Sequence, residues 1–77
     1  MTIAQRLNTV VASVFGVDAA RLGDADSPKS IPQWDSVAHL ELIFALEAEF
    51  GVQFSADEIG SLVSLGAIRS RLEGSPS

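Results

Sequence analysis

The sequence predicts an all-α fold: a small four-helix bundle of three main helices and one short one, with a long loop between helices one and two. Three observations carry this. Apolar residues recur at three- and four-residue steps in three separate stretches, the signature of amphipathic helices. Capping residues open those stretches, and Gly16 and Gly51 fall where the first two should stop. The chain has 77 residues, 47% of them apolar, and no cysteine. That is enough for one core but not two, with helix packing rather than disulfides to hold it.

The first helix should cover about residues 2–15. Thr2 and Gln5 have capping-box spacing, and Ile3, Leu7, Val10, Val11 and Val14 form a stripe that Phe15 extends. Residues 16–35 are rich in Gly, Asp, Ser and Pro and form a long loop, anchored by Val17, Leu22 and Ile31, with one short turn at Ala19-Ala20-Arg21. Helix two runs over about 36–50, with Val37, Leu40, Ile43, Leu46 and Phe50 along one side. Leu42, Phe44 and Ala45 widen its apolar surface, and Phe44 lies opposite Leu42 and Leu46, which leaves it partly uncovered. Val52 and Phe54 make a short extended link. Ser55 and Glu58 form a second capping box for a brief helix over 55–60, ended by Gly60. Ser64 caps a last helix with Leu65, Ile68 and Leu72 inward, and Arg69 and Arg71 in its final turns suit the helix dipole. Residues 1–73 then form the domain and 74–77 a flexible tail.

Charge and length narrow the function. Net charge is −5, and all five basic residues (Arg6, Arg21, Lys29, Arg69, Arg71) lie outside positions 30–68. Inside that span stand Asp35, Glu41, Glu47, Glu49, Asp57 and Glu58. Such a surface repels nucleic acid and anionic lipid and attracts basic protein patches. No apolar run approaches the roughly 18 residues of a membrane span, and the first residues lack the design of a secretion signal, so the expectation is a cytoplasmic protein. A chain this short rarely encloses the volume an active site needs. With one histidine and no cysteine, the common zinc sites and Cys-His pairs are excluded. Phosphate-binding glycine loops are absent, and residues 26–35 lack calcium-loop spacing. His39 stands one turn from Ser36, but the pair has neither an orienting group nor an oxyanion hole, so a hydrolase built on it is the weakest alternative. No catalytic and no metal-ligating residue is expected.

Ser36 is what remains. Asp35 and Ser36 are both common N-caps, and the pair by itself also reads as an ordinary helix start. If Asp35 is the cap, Ser36 becomes the first helical residue with its hydroxyl toward solvent. A phosphate ester there would adjoin unpaired backbone N–H groups and the positive end of the helix dipole.

The stretch from Trp34-Asp35-Ser36-Val37 through Leu46-Glu47-Ala48-Glu49-Phe50 to Phe54 resembles the central helix of acyl carrier proteins. That family shows Asp-Ser-Leu, an apolar helix ending in Leu-Glu-x-x-Phe, and a short extended link. The order of elements resembles it over essentially the whole chain. The resemblance implies that Ser36 receives 4′-phosphopantetheine from coenzyme A, with Asp35 in the attachment motif read by a phosphopantetheinyl transferase. The arm's thiol, the only thiol in a protein without cysteine, then holds acyl cargo as a thioester. Val37, Glu41, Phe44 and Glu47 match positions that meet partners: acyl-loading and acyl-processing ligases, synthases or transferases with basic patches. The protein so implied is a monomeric, non-catalytic shuttle.

Several residues depart from the pattern. Val37 replaces the usual leucine, and Gln33 occupies a position where glycine is common. Trp34 and His39 resemble discrete carriers of specialised pathways, polyketide or related to fatty-acid synthesis, more than the housekeeping carrier. An aminoacyl or peptidyl carrier of a nonribosomal system stays open, as does an unmodified helical adaptor. Leu42, Leu46, Ile59, Leu62 and Ile68 are candidates to line an interior cargo cleft, although core packing explains them more simply.

Overall fold

A computed structural model describes residues 2–74. Helix α1 spans Ile3–Phe15 and is opened by the expected capping box: the Gln5 N–H donates to Thr2 Oγ1 at 3.1 Å and the Thr2 N–H to Gln5 Oε1 at 2.9 Å. Gly16 ends it in the left-handed conformation at φ 70°, which a side chain would strain. Leu7, Val11 and Phe15 are buried, a step of four residues that keeps one narrow stripe against the core. In the loop, Asp18 caps a single 3-10 turn over Ala19–Arg21. Ile31 is a buried anchor, whereas Val17 and Leu22 pack against the core half-covered.

Helix α2 spans Ser36–Phe50, with Gly51 at φ 65° as its stop. It runs antiparallel to α1: Phe15 meets Trp34 at one end, and Arg6 meets Glu49 and Phe50 at the other. Arg6 donates to the Glu49 carbonyl at 2.9 Å and to its carboxylate at 3.1 Å, supplying a cation and a donor where the helix leaves carbonyls unpaired. The inward side of α2 differs from the expected one. Leu42, Ile43 and Leu46 are fully buried, whereas Val37 and Leu40, expected beside Ile43 and Leu46, are 68% and 48% exposed. At 3.6 residues per turn each three-residue step falls about 60° short of a full circle. A run of such steps from 37 to 46 therefore crosses from the outer face to the inner one. Phe44, at 64% exposure, lies outside as expected.

Val52 and Phe54 are buried, and the extended link between them is held by a bond that the local sequence does not announce: the Phe54 N–H donates to Glu47 Oε2 at 2.9 Å. Helix α3, Ala56–Ser61, opens with its Ser55–Glu58 capping box but runs past Gly60, expected to end it; the Leu62 N–H still reaches the Glu58 carbonyl at 3.0 Å. Helix α4, Leu65–Glu73, starts at Ser64 as expected. The tail expected over 74–77 lies, beyond Gly74, outside the described residues.

The loop and α4 are clasped together. The first N–H groups of α4, at Leu65 and Gly66, donate to the Asp26 and Asp24 carbonyls at 3.0 Å each, so loop carbonyls satisfy a helix start. A Cβ at Gly66 would stand 3.1 Å from the Asp24 carbonyl oxygen and Cβ, so a side chain there would require the loop to give way slightly. Arg69 then grips the Asp24 carboxylate through Nε at 3.0 Å and Nη2 at 2.7 Å and reaches Glu73 with its remaining nitrogen. Near the other end of α4, Arg71 pairs with Glu58 of α3 and lies over the Phe54 ring.

These clasps make stability sensitive to acid. The Arg69 hydrogen bond holds the Asp24 carboxyl below its ordinary pKa, and the Arg71 hydrogen bond does the same for Glu58. A carboxylate whose folded pKa is depressed adds stability above its unfolded pKa and loses it as pH falls through the folded value. The urea midpoint should therefore be steady at neutral pH and decline from about pH 4.5 downward. The decline should be shallower in an Arg69→Met, Arg71→Met double variant, and equal declines in both proteins would refute this source of acid lability.

Candidate functional site

The site is built at the start of α2. The Asp35 side chain takes the capping role, accepting the Ala38 N–H at 2.8 Å, while its backbone carbonyl accepts the His39 N–H at 2.8 Å. Ser36 is thereby the first helical residue, exposed to solvent. Among the described residues the side-chain bonds of this turn run through Trp34, Asp35 and His39, leaving the Ser36 hydroxyl unengaged.

Trp34 immediately precedes the cap and is 3% exposed. Its ring packs between Phe15 of α1, 5.5 Å away between centroids, and His39 of α2, 6.0 Å away. A buried indole needs an acceptor for its N–H. Trp34 Nε1 donates to His39 Nδ1 at 2.9 Å, and His39 Nε2 lies 2.8 Å from the Ile59 carbonyl of α3. His39 is therefore not the plain surface imidazole its sequence context suggests. It is half-buried, and both ring nitrogens are taken by groups other than Ser36, which removes it as a base for that hydroxyl. One signal in the sequence pointed here. Trp34 and His39 occupy the positions just before the cap and four after it, where a side-chain staple commonly closes the entry to a helix.

Beside Ser36 opens a cleft of 340 Å³, lined by Pro28, Trp34, Asp35, Ser36, His39 and Val63. It joins the long loop, the start of α2 and the α3–α4 connection. Val63, 49% exposed, is a wall that sequence reasoning did not single out, because no periodic stripe includes it.

From Ser36 an exposed stripe continues along α2 through Val37, Leu40, Glu41 and Phe44, at three- and four-residue spacing. Glu47 follows on the same side but is half-buried, with one carboxylate oxygen held by the Phe54 N–H. Pairing thins the acidic surface expected over 30–68. Glu49 and Glu58 are matched to Arg6 and Arg71, and among the described residues Asp35, Glu41, Glu47 and Asp57 stay outside any ion pair. Arg69 is committed as well, between Asp24 and Glu73. The negative character of the face around Ser36 is thus set by few charges, none of them drawn into an ion pair among the described residues. Among the described residues no cluster could hold a metal ion, and no helix is long and apolar enough to cross a membrane.

Similarity to known proteins follows the same outline. No protein-family model matches the chain. Over 64 residues it is 34% identical to the acyl carrier protein of Sinorhizobium fredii (strain NBRC 101917 / NGR234), covering 83% of this chain and 82% of that protein. The acyl carrier protein AcpP of Rhizobium meliloti (strain 1021) matches to the same extent. The acyl carrier protein of Helicobacter pylori (strain G27) is 31% identical over 74 residues, 95% of this chain and 94% of that protein. At 31–34% identity over most of the length of each protein, these relatives show that this chain belongs to the acyl carrier protein family.

Proposed function

We propose that Ser36 is the attachment residue for 4′-phosphopantetheine, and that the protein carries acyl groups between enzymes without catalysing their chemistry. The observation that carries this reading is the division of labour at the helix start. Asp35 caps α2, and the Ser36 hydroxyl stands exposed and unengaged beside an open cleft with apolar walls at Trp34 and Val63. Those surroundings, apolar at Trp34 and Val63 and polar at Asp35 and His39, fit a long arm of alternating methylene and amide groups joined through a phosphate. When bound, the arm supplies a thiol on which an acyl group travels as a thioester. The chain's own part is presentation: Asp35 fixes the turn, Ser36 offers its oxygen, and the rigid α2 behind them is what a phosphopantetheinyl transferase recognises.

Partner enzymes would meet the outer stripe of α2. Val37 and Phe44 provide apolar contacts, Glu41 an acidic rim, and Glu47 the carboxylate oxygen that Phe54 leaves unused. Negative charge left outside ion pairs favours ligases, synthases or transferases with basic patches and makes association sensitive to salt. Phe44→Ala should weaken binding of an acyl-loading enzyme about tenfold or more, as loss of an aromatic anchor does, while leaving folding stability within about 0.5 kcal/mol. Calorimetric titration and urea unfolding of the same samples test both halves. Unchanged affinity would remove Phe44 from the contact.

Trp34 and His39 favour a discrete carrier of a specialised pathway, of polyketide or fatty-acid-related type, over the housekeeping role. Relatives named acyl carrier proteins and the negative face of α2 favour acyl over aminoacyl cargo. The test is intact mass before and after incubation with coenzyme A and a broad-specificity phosphopantetheinyl transferase. A gain of one phosphopantetheine is expected. Folded protein that gains nothing from two different transferases would instead point to an unmodified adaptor.

A further inference from the structure

Many side-chain hydrogen bonds among the described residues cap a helix or pair surface charges; the two made by the His39 ring instead tie separate segments together. An indole N–H can only donate, so Nδ1 of His39 is the acceptor, and a neutral ring then carries its proton on Nε2, where it donates to the Ile59 carbonyl. One side chain so joins three segments: the end of the long loop through Trp34, α2 on which it sits, and α3 through Ile59. The Ile59 carbonyl lies among the last of α3, where intrahelical partners run out. With six residues, α3 is too short to hold its place by helix formation alone. The clasped segments also form the cleft next to Ser36, with Trp34 and His39 in its wall and Val63 just beyond α3.

We propose that His39 is a positioning residue for modification and delivery at Ser36: as a neutral clasp from Trp34 to Ile59 it holds the loop end and α3 in the one arrangement that partner enzymes recognise. This rests on Ser36 being the attachment residue. Ser36 itself is fixed by the Asp35 cap, which His39 does not touch through its ring. Losing the clasp therefore leaves the reacting oxygen in place and lowers the fraction of molecules in the recognised arrangement. Apparent affinity falls by that fraction. Two lost hydrogen bonds shift that equilibrium by a factor of about ten or more, which reaches the affinity in full once the recognised arrangement becomes the minor one.

The experiment measures transferase kinetics with the full chain as substrate for wild type, His39→Leu and His39→Gln, followed by intact mass. In parallel, the 1H–15N resonance of the single tryptophan's indole is recorded. In His39→Leu the indole resonance should move and KM for the carrier rise about tenfold, with kcat within about twofold of wild type. His39→Gln, whose amide offers both an acceptor and a donor, should return KM to within about twofold. If His39→Leu fails to fold, Trp34→Phe breaks one half of the clasp and should raise KM about threefold. Modification with equal KM in variants whose indole bond is lost overturns this proposal alone. No mass gain in wild type overturns the assignment of Ser36 and this proposal with it.

Discussion

Ser36→Ala protein is expected to stay folded, with a urea midpoint indistinguishable from wild type, and to gain no mass from coenzyme A and a transferase. The two halves rest on different atoms. Capping belongs to the Asp35 carboxylate, which accepts the Ala38 N–H, and an exposed first-turn serine replaced by alanine loses no described bond. Alanine is also the better helix former, so any stability change should remain within about 0.5 kcal/mol. Modification, in contrast, needs an oxygen at that one position, and its loss is complete rather than graded. Acyl transfer from loading enzymes should vanish with it. Residual mass gain in the folded variant would move the attachment elsewhere in the chain. Partner binding that persists unchanged in Ser36→Ala, together with unmodified wild type, would favour the adaptor reading.

Features governed by local chemistry were legible from the sequence. Thr2 with Gln5, Ser55 with Glu58, and Ser64 each satisfy N–H groups within a few residues, and Gly16 and Gly51 supply left-handed stops that no other residue adopts cheaply. The Asp35-Ser36 start of α2 is legible for the same reason. Gly60 misleads because a glycine ends a helix only where the backbone ladder also breaks. Here the Leu62 N–H continues that ladder to Glu58, and glycine is merely tolerated inside a short helix.

Long-range bonds were not legible. Nothing in the run from 47 to 54 says that the Glu47 carboxylate turns one oxygen back to hold the Phe54 N–H. Arg69 suits the end of its own helix, yet its strongest grip is on Asp24, 45 residues away. The cleft beside Ser36 needs Pro28 and Val63 from separate connections, and no periodicity relates them. His39 lay between the two cases. Its staple position relative to Trp34 is local, but its reach to the Ile59 carbonyl depends on where α3 packs.

The inner and outer sides of α2 give the second large effect, because the helix offers the same residue type on both. Leu46 is fully buried, as are Leu42, Ile43 and Ile68 of the same core, whereas Leu40 is 48% exposed. Leu46→Ala should cost about 2–5 kcal/mol through lost burial and the cavity left behind. A domain of this length has about 4–12 kcal/mol in total, at roughly 0.05–0.15 kcal/mol per residue. With a urea slope of about 1 kcal/mol per molar, the midpoint should fall by about 2–5 M at unchanged slope, and a weakly stable background would be left partly unfolded in buffer. Leu40→Ala should shift the midpoint by about 0.5 M or less, since the leucine is half in water already. A simple three-residue stripe places both leucines on one side and predicts similar losses. Unequal losses are what the observed rotation of α2 requires, and similar ones would mean that the outer stripe of Val37, Leu40 and Phe44 is packed after all. That stripe could not then be offered to partners beside Ser36.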